Sequence, residues 1–149
     1  TPNLKQLVLP RTGDFSREAV HMAMKSWVDL ESITITSDIF PAIREFCKNI
    51  IGIKFGCGLE EKHVEALIES TPNLKMFSIR STVVSMKALI SLLTSLENLD
   101  AVNIVHSVIM DMSSPDEFNF FNIHDLENDL PPSIMEKVIY CEGGSCLKC

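Results

Sequence analysis

An α/β solenoid, with parallel strands lining its inner face and helices outside, is the fold this sequence predicts. Three observations predict it. First, Thr1-Pro2-Asn3-Leu4-Lys5 returns letter for letter as Thr71-Pro72-Asn73-Leu74-Lys75. Second, an L-x-x-L-x-L template fits the chain five times: at Leu4, Leu7, Leu9; Leu30, Ile33, Ile35; Ile50, Ile53, Phe55; Leu74, Phe77, Ile79; and Leu99, Val102, Ile104. The starts at 4, 30, 50, 74 and 99 are separated by 26, 20, 24 and 25 residues, within the ~20–29-residue period of leucine-rich repeats. Third, the stretches between matches carry apolar residues at helical spacing. One match to so loose a template means little, but five in register define a leucine-rich repeat solenoid. A strand and a helix cannot bury their own apolar faces, so each unit must stack on its neighbours.

The elements follow in order. The first strand spans 4–9, and Ser16 is an N-cap for a helix whose Val20, Ala23, Met24 and Trp27 share one face. A strand over 30–35 leads to a shorter helix from Ile39 to Cys47, where Pro41 is tolerated because it lies in the first turn. After the strand at 50–55, Glu60-Glu61 opens a third helix, favourably placed against the helix dipole, with Val64, Leu67 and Ile68 apolar. The strand at 74–79 is followed by the clearest stripe, Val83, Met86, Leu89, Ile90 and Leu93, and a fifth strand covers 99–104. In each strand the fourth and sixth template positions point together into the core. Leu74, Phe77, Ile79, Leu89 and Leu93 lie in an interior repeat and form its best-buried part.

Charge divides the chain. Residues 1–110 hold 12 acidic and 11 basic side chains, a balance of −1, whereas residues 111–149 hold 8 and 2, a balance of −6. The expected organisation is therefore a solenoid over 1–110 and an acidic C-terminal cap or tail over 111–149. Phe118, Phe120, Phe121 and the run Val138-Ile139-Tyr140 suit a cap folded over the last repeat. The acidic stretch from Asp111 to Asp129 equally suits a mobile loop. The chain opens on Thr, directly before a strand, which suggests the C-terminal part of something longer, since an open solenoid end needs a cap. No apolar run approaches the ~18 residues of a membrane span, and no signal-peptide pattern opens the chain. Five cysteines, an odd count without such a pattern, favour a reducing compartment, cytoplasmic or nuclear, over a disulfide framework. Cys141, Cys146 and Cys149 offer at most part of the four ligands of a structural zinc site, so no metal is predicted. Cys47 reads as a small apolar core residue and Cys57 as a turn thiol.

No Gly-rich phosphate loop, nucleophile elbow or H-E-x-x-H pair is present, so neither an enzyme nor a cofactor is predicted. His21, His63, His106 and His124 are scattered over separate repeats, and His21 and His63 read as solvated helix surface. No basic patch suits nucleic acid. Function then falls to the inner, concave face, which strand positions three, five, seven and eight supply from each repeat, Val105 among them. That face carries Lys and Arg but no Asp or Glu. The residues predicted to bind a protein segment are Arg11, Thr34, Lys54, Ser78, Arg80, Asn103 and His106, with Lys54 and Arg80 central for an acidic partner. Strand residues of solenoids are commonly small and polar, so such a face also arises with nothing to bind.

The phrase T-P-N-L-K-x-L/F-x-I/L, at Thr1–Leu9 and Thr71–Ile79, resembles the repeats of plant F-box/LRR-repeat proteins. In that family P-N-L-x-x-L-x-L commonly opens each unit and repeat lengths are irregular. The acidic, cysteine-ended tail also looks like that of the family's short members. Two departures stand out. The F-box, which would dock on a Skp1-type adaptor, is not among these 149 residues, and the usual Asn or Cys at template position nine is replaced by Thr12, Asp38, Gly58, Thr82 and Ser107. The resemblance implies the substrate-recognition arm of a Skp1–cullin–F-box ubiquitin ligase, which holds a target while other subunits transfer ubiquitin. The alternative is a stand-alone leucine-rich interaction module or the recognition end of an immune receptor.

Overall fold

A computed structural model describes residues 4–9, 16–36, 39–111, 113, 117 and 119–141. Strands fall where the template puts them: β1 (Gln6–Val8), β2 (Ser32–Ile35), β3 (Gly52–Phe55) and β4 (Met76–Ile79). Helices α1 (Arg17–Met24), α2 (Phe40–Phe46) and α3 (Glu61–Ser70) run between them. Then come β5 (Val83–Ser85), α4 (Met86–Ser95), β6 (Ala101–Asn103), β7 (Val108–Asp111) and β8 (Asn119–Phe121). A 3-10 helix (Ile123–Asn128), α5 (Pro132–Met135) and β9 (Val138–Ile139) follow.

The principal sheet has the order β1-β2-β3-β4-β6-β9, with every pair parallel. Its register sets Leu7, Ile33, Ile53, Phe77, Val102 and Val138 side by side. The first five are the fourth positions of the template, and Ile33, Ile53, Phe77 and Val102 are all at most 2% exposed. The four joins from β1 to β6 also repeat one backbone device. The Lys5 carbonyl accepts from the N–H groups of both Glu31 and Ser32, the Glu31 carbonyl from Ile51 and Gly52, the Ile51 carbonyl from Lys75 and Met76, and the Lys75 carbonyl from Asp100 and Ala101, at 2.8–3.1 Å. Helices α1 to α4 pack on one another in chain order. Their buried residues, among them Met24, Ile43, Leu67 and Leu89, share one core with the inward strand residues.

Local chemistry explains the helix boundaries. Ser16 Oγ accepts from the Ala19 N–H at 3.1 Å, and Ser85 Oγ accepts from the Ala88 N–H at 3.3 Å, each satisfying a donor the helix leaves orphaned. Ser85 also donates to the Glu61 carboxylate at 2.8 Å, tying the start of α4 to that of α3. Helix α2 has no side-chain cap and opens instead on Phe40-Pro41, where proline's missing N–H costs nothing.

Four features depart from the sequence reading. Val83 is not the first residue of the helical stripe. It lies in β5, because Ser85 caps the helix and the β-branched pair Val83-Val84 before it favours extended backbone. There it joins a second, smaller sheet, β5-β7-β8, in which β5 and β7 are parallel and β7 and β8 antiparallel. A parallel bridge from Leu59 to Val84 extends that ladder, so Leu59, Val84 and Ile109, all nearly inaccessible, line up across three successive units. The third departure is β9, which adds a sixth strand to the principal sheet. Met135, Val138 and Tyr140 repeat the template spacing, but the start at 135 lies 36 residues after that at 99, beyond the ~20–29-residue period. Strand β7 runs across residue 110, and Ile123, Leu126 and Leu130 from the acidic region are buried.

The fourth departure concerns asparagine. Besides the tie after the strand, where Ser107 Oγ at template position nine donates to the Ile79 carbonyl at 3.3 Å, units are tied before it, one residue ahead of the first template position. Asn49 Nδ2 donates to the Val28 carbonyl at 3.1 Å, and Asn98 Nδ2 makes the equivalent, longer contact to the Pro72 carbonyl at 3.5 Å.

Candidate functional site

The side of the principal sheet opposite the helices is open. Because strand side chains alternate, the residues on it form two rows fixed by the strand register. Gln6, Ser32, Gly52, Met76 and Ala101 make one row, and Val8, Thr34, Lys54, Ser78, Asn103 and Ile139 the other. Neither row contains a carboxylate. Lys54 is exposed in mid-sheet, and Arg80 is exposed just beyond the end of β4. Among the described residues neither forms an ion pair. Glu31 and Asp100 sit at the strand-opening edge, where they line a second hollow with Ser32, Gly52, Met76 and Ala101, and Glu31 is held by Lys5 at 2.9 Å.

The face has relief. A groove of about 180 Å³ crosses it from Ser32 to Ile139. Its floor is low where Gly52, Ser78 and Ala101 present little side chain, and it is bordered by Lys54, Met76 and Ile139. Met76 is 62% exposed and Ile139 49%, so two large apolar side chains stand in water, Met76 on the strand next to that of Lys54 and Ile139 two strands beyond. Gly52 is small for a local reason: a Cβ there would meet Ser32 Oγ at 3.3 Å.

Of the predicted binding residues, the structure brings Lys54, Ser78 and Asn103 to the groove, with Thr34 beside Lys54 in the same row. Asn103 is partly engaged, its Oδ1 accepting from the Val105 N–H at 3.1 Å. His106 is exposed but lies in the turn after β6, at φ 60°, and does not line the groove. Arg11 lies outside the described residues. Val105 is not on the open face: it is only 5% exposed, because it has left the strand for a turn over residues 104–107, closed by the Ser107 N–H on the Ile104 carbonyl at 3.0 Å with His106 at φ 60°. Sequence reasoning placed Gly52, Met76 and Ala101 on this face without giving them a role. Their signal was size alone: small residues beside a large one on a registered grid leave a furrow.

His63 is the clearest correction. It is not solvated surface but 7% exposed. Its Nδ1 accepts the Glu60 N–H at 3.1 Å, and its ring stands edge-on to Phe55 with centroids 5.1 Å apart. Burial pushes its pKa below the usual histidine value. Its ring therefore does structural work, as an acceptor for an orphan donor of the helix start.

Cys47 is 1% exposed, its thiol 3.4 Å from the Met24 sulfur, and burial pushes its pKa up, away from reactive thiolate. Cys146 and Cys149 lie outside the described residues. Among the described residues no group of three His, Cys, Asp or Glu side chains is arranged to hold a metal ion. No described helix is long and apolar enough to cross a membrane.

The chain is similar to two proteins of Arabidopsis thaliana. It is 32% identical over 117 residues to an F-box/LRR-repeat protein, an alignment covering 75% of this chain and 38% of that protein. It is 28% identical over 112 residues to a second protein, named as an F-box protein, covering 70% of this chain and 34% of the relative. The chain thus spans little more than a third of the length of the curated relatives it matches. No family model matches the chain, and no solved structure matches it.

Proposed function

We propose, on the premise that this chain is of the plant F-box/LRR-repeat type, that it is the substrate-recognition arm of a Skp1–cullin–F-box ubiquitin ligase. In this reading the parallel sheet and its stacked helices are turns of a leucine-rich repeat solenoid, and the open face of the sheet is its concave surface. The chain performs no chemistry. It holds a target protein while other subunits transfer ubiquitin, and a Skp1-type adaptor is engaged by an F-box that residues 1–149 do not contain. One observation carries the assignment of the face. In a chain of net charge −7, the open rows bear Lys54, with Arg80 beside them, and no carboxylate. Cations without internal partners attract an oppositely charged partner and slow its wrong competitors.

The test is affinity capture from plant extract under proteasome inhibition, using residues 1–149 and the double variant Lys54→Glu/Arg80→Glu. The expected result is a set of proteins held by the parent chain and lost in the variant, with circular dichroism unchanged. Equal capture by both would move recognition off this face. Residues 1–149 are further expected not to retain a Skp1-type adaptor. Retention would overturn the division of roles.

A further inference from the structure

We infer that the groove across the open face seats one apolar side chain of an extended, acidic peptide segment, with the segment's carboxylate on Lys54. This deepens the reading above and rests on it, by naming the kind of sequence the face would recognise.

The dimensions set the occupant. The groove runs across β2, β3, β4, β6 and β9. Four gaps of about 4.8 Å make a track of roughly 19 Å, the length of about six extended residues. At about 180 Å³ it is too shallow for a helix and has room for little beyond one buried side chain. The placement of chemistry along it is uneven. Ala101, Ile139 and Met76 give the end nearest β9 apolar walls around Asn103, whereas Lys54 stands where the groove passes β3. An apolar side chain laid between Met76 and Ile139 would cover two exposed hydrophobic residues, the kind of surface that marks an interaction site. A carboxylate a few residues along would then reach an amine with no ion-pair partner among the described residues. A basic segment would gain nothing at Lys54, and a wholly polar one would leave Met76 and Ile139 uncovered. Charge complementarity and apolar cover therefore select the same peptide.

The experiment is fluorescence anisotropy with residues 1–149 and a set of labelled hexapeptides, each holding one Leu and one Glu at varied separation in a Ser/Gly background. Matched controls replace Leu by Ser, Glu by Gln, or Glu by Lys. At least one Leu/Glu separation is expected to bind. At that separation the Glu-to-Gln and Glu-to-Lys controls should bind about two- to fivefold more weakly, as loss of one exposed ion pair implies, and the Leu-to-Ser control about tenfold more weakly, as loss of one buried apolar side chain implies. The groove-filling variants Ala101→Leu and Ser78→Leu should each weaken binding similarly, whereas Ala101→Ser should retain it, and thermal unfolding checks that every variant is folded. No binding by any Leu/Glu probe overturns the proposal. So does binding indifferent to groove filling, or filling sensitivity without sensitivity to Lys54→Glu. The two readings fail separately. If the filled variants still capture the extract proteins that the double charge reversal loses, the face stands as the recognition surface and the groove does not.

Discussion

At the scale of single residues, His63 makes the sharpest prediction. Its neutral ring is buried and accepts the Glu60 N–H, so protonation both places a charge against Phe55 and destroys the acceptor. Its folded pKa lies below the unfolded value of ~6.5. Between those two values the unfolded chain binds more protons, so this contribution to stability is complete above ~6.5 and is lost as pH falls through the interval. Urea midpoints should therefore drop from pH 7 to pH 5 more steeply in the parent than in His63→Gln. Equal slopes would show that the ring is not buried neutral. Phe77, 1% exposed and with its ring centroid 6.1 Å from that of Phe55, is a packing residue. Phe77→Ala should cost about 3–5 kcal/mol in a denaturant titration, and a cost below about 1 kcal/mol would mean that its site collapses around the loss. The two residues also mark how far sequence serves. Phe77 was legible because its position recurs in every unit. His63 was not, because periodicity assigns a helix face and says nothing of a ring turned back to cap its own helix.

At the scale of elements, the legible strands were those with two inward apolar residues at a recurring distance, such as Ile33 with Ile35 and Phe77 with Ile79. The second ladder repeats only one apolar residue in all three units, Leu59, Val84 and Ile109, too little pattern to tell from a turn. Strand β9 was visible as an apolar run, but its partner was hidden by the 36-residue interval before it. Its pairing is checkable. The amides of Val102 and Ile104 donate to the Lys137 and Ile139 carbonyls at 2.8 and 2.9 Å. Val138→Asp, which places a charge at a position only 7% exposed, should speed hydrogen exchange at those two amides while leaving those of β3 slow. Unchanged protection at Val102 and Ile104 would mean that β9 is not held there. The asparagine ties give a graded case. Asn49→Ala removes a 3.1 Å bond between successive units and should cost about 0.5–1.5 kcal/mol. Asn98→Ala, at 3.5 Å, should cost less. The equivalent positions in the sequence are Asn3, Asp29, Asn49, Asn73 and Asn98, a second set of ties beside position nine of the template, where Ser107 Oγ donates to the Ile79 carbonyl at 3.3 Å.

At the scale of the whole molecule, the charge that bears on function is local. The chain is acidic as a whole, yet the open face is not, and that contrast could be read from sequence once the strand register was known. The groove could not, because it depends on which side chains become neighbours across strands that are 20 or more residues apart. If Lys54 and Arg80 steer an acidic partner, capture should weaken as salt rises from about 0.05 to 0.5 M, since the Debye length falls from about 14 Å to about 4 Å, close to the reach of a direct contact. Capture independent of salt would leave contacts such as Met76 and Ile139 as its basis. The order of the principal sheet has a consequence of another kind. Strands lie beside one another in the order of the chain, so each is held only by the units before and after it. A pull on the two ends would therefore meet no long-range clasp in that sheet, only a series of similar latches. Stretched in an optical trap, the molecule should lengthen in steps as units detach singly. A unit of 24 residues releases at most roughly 80 Å of slack.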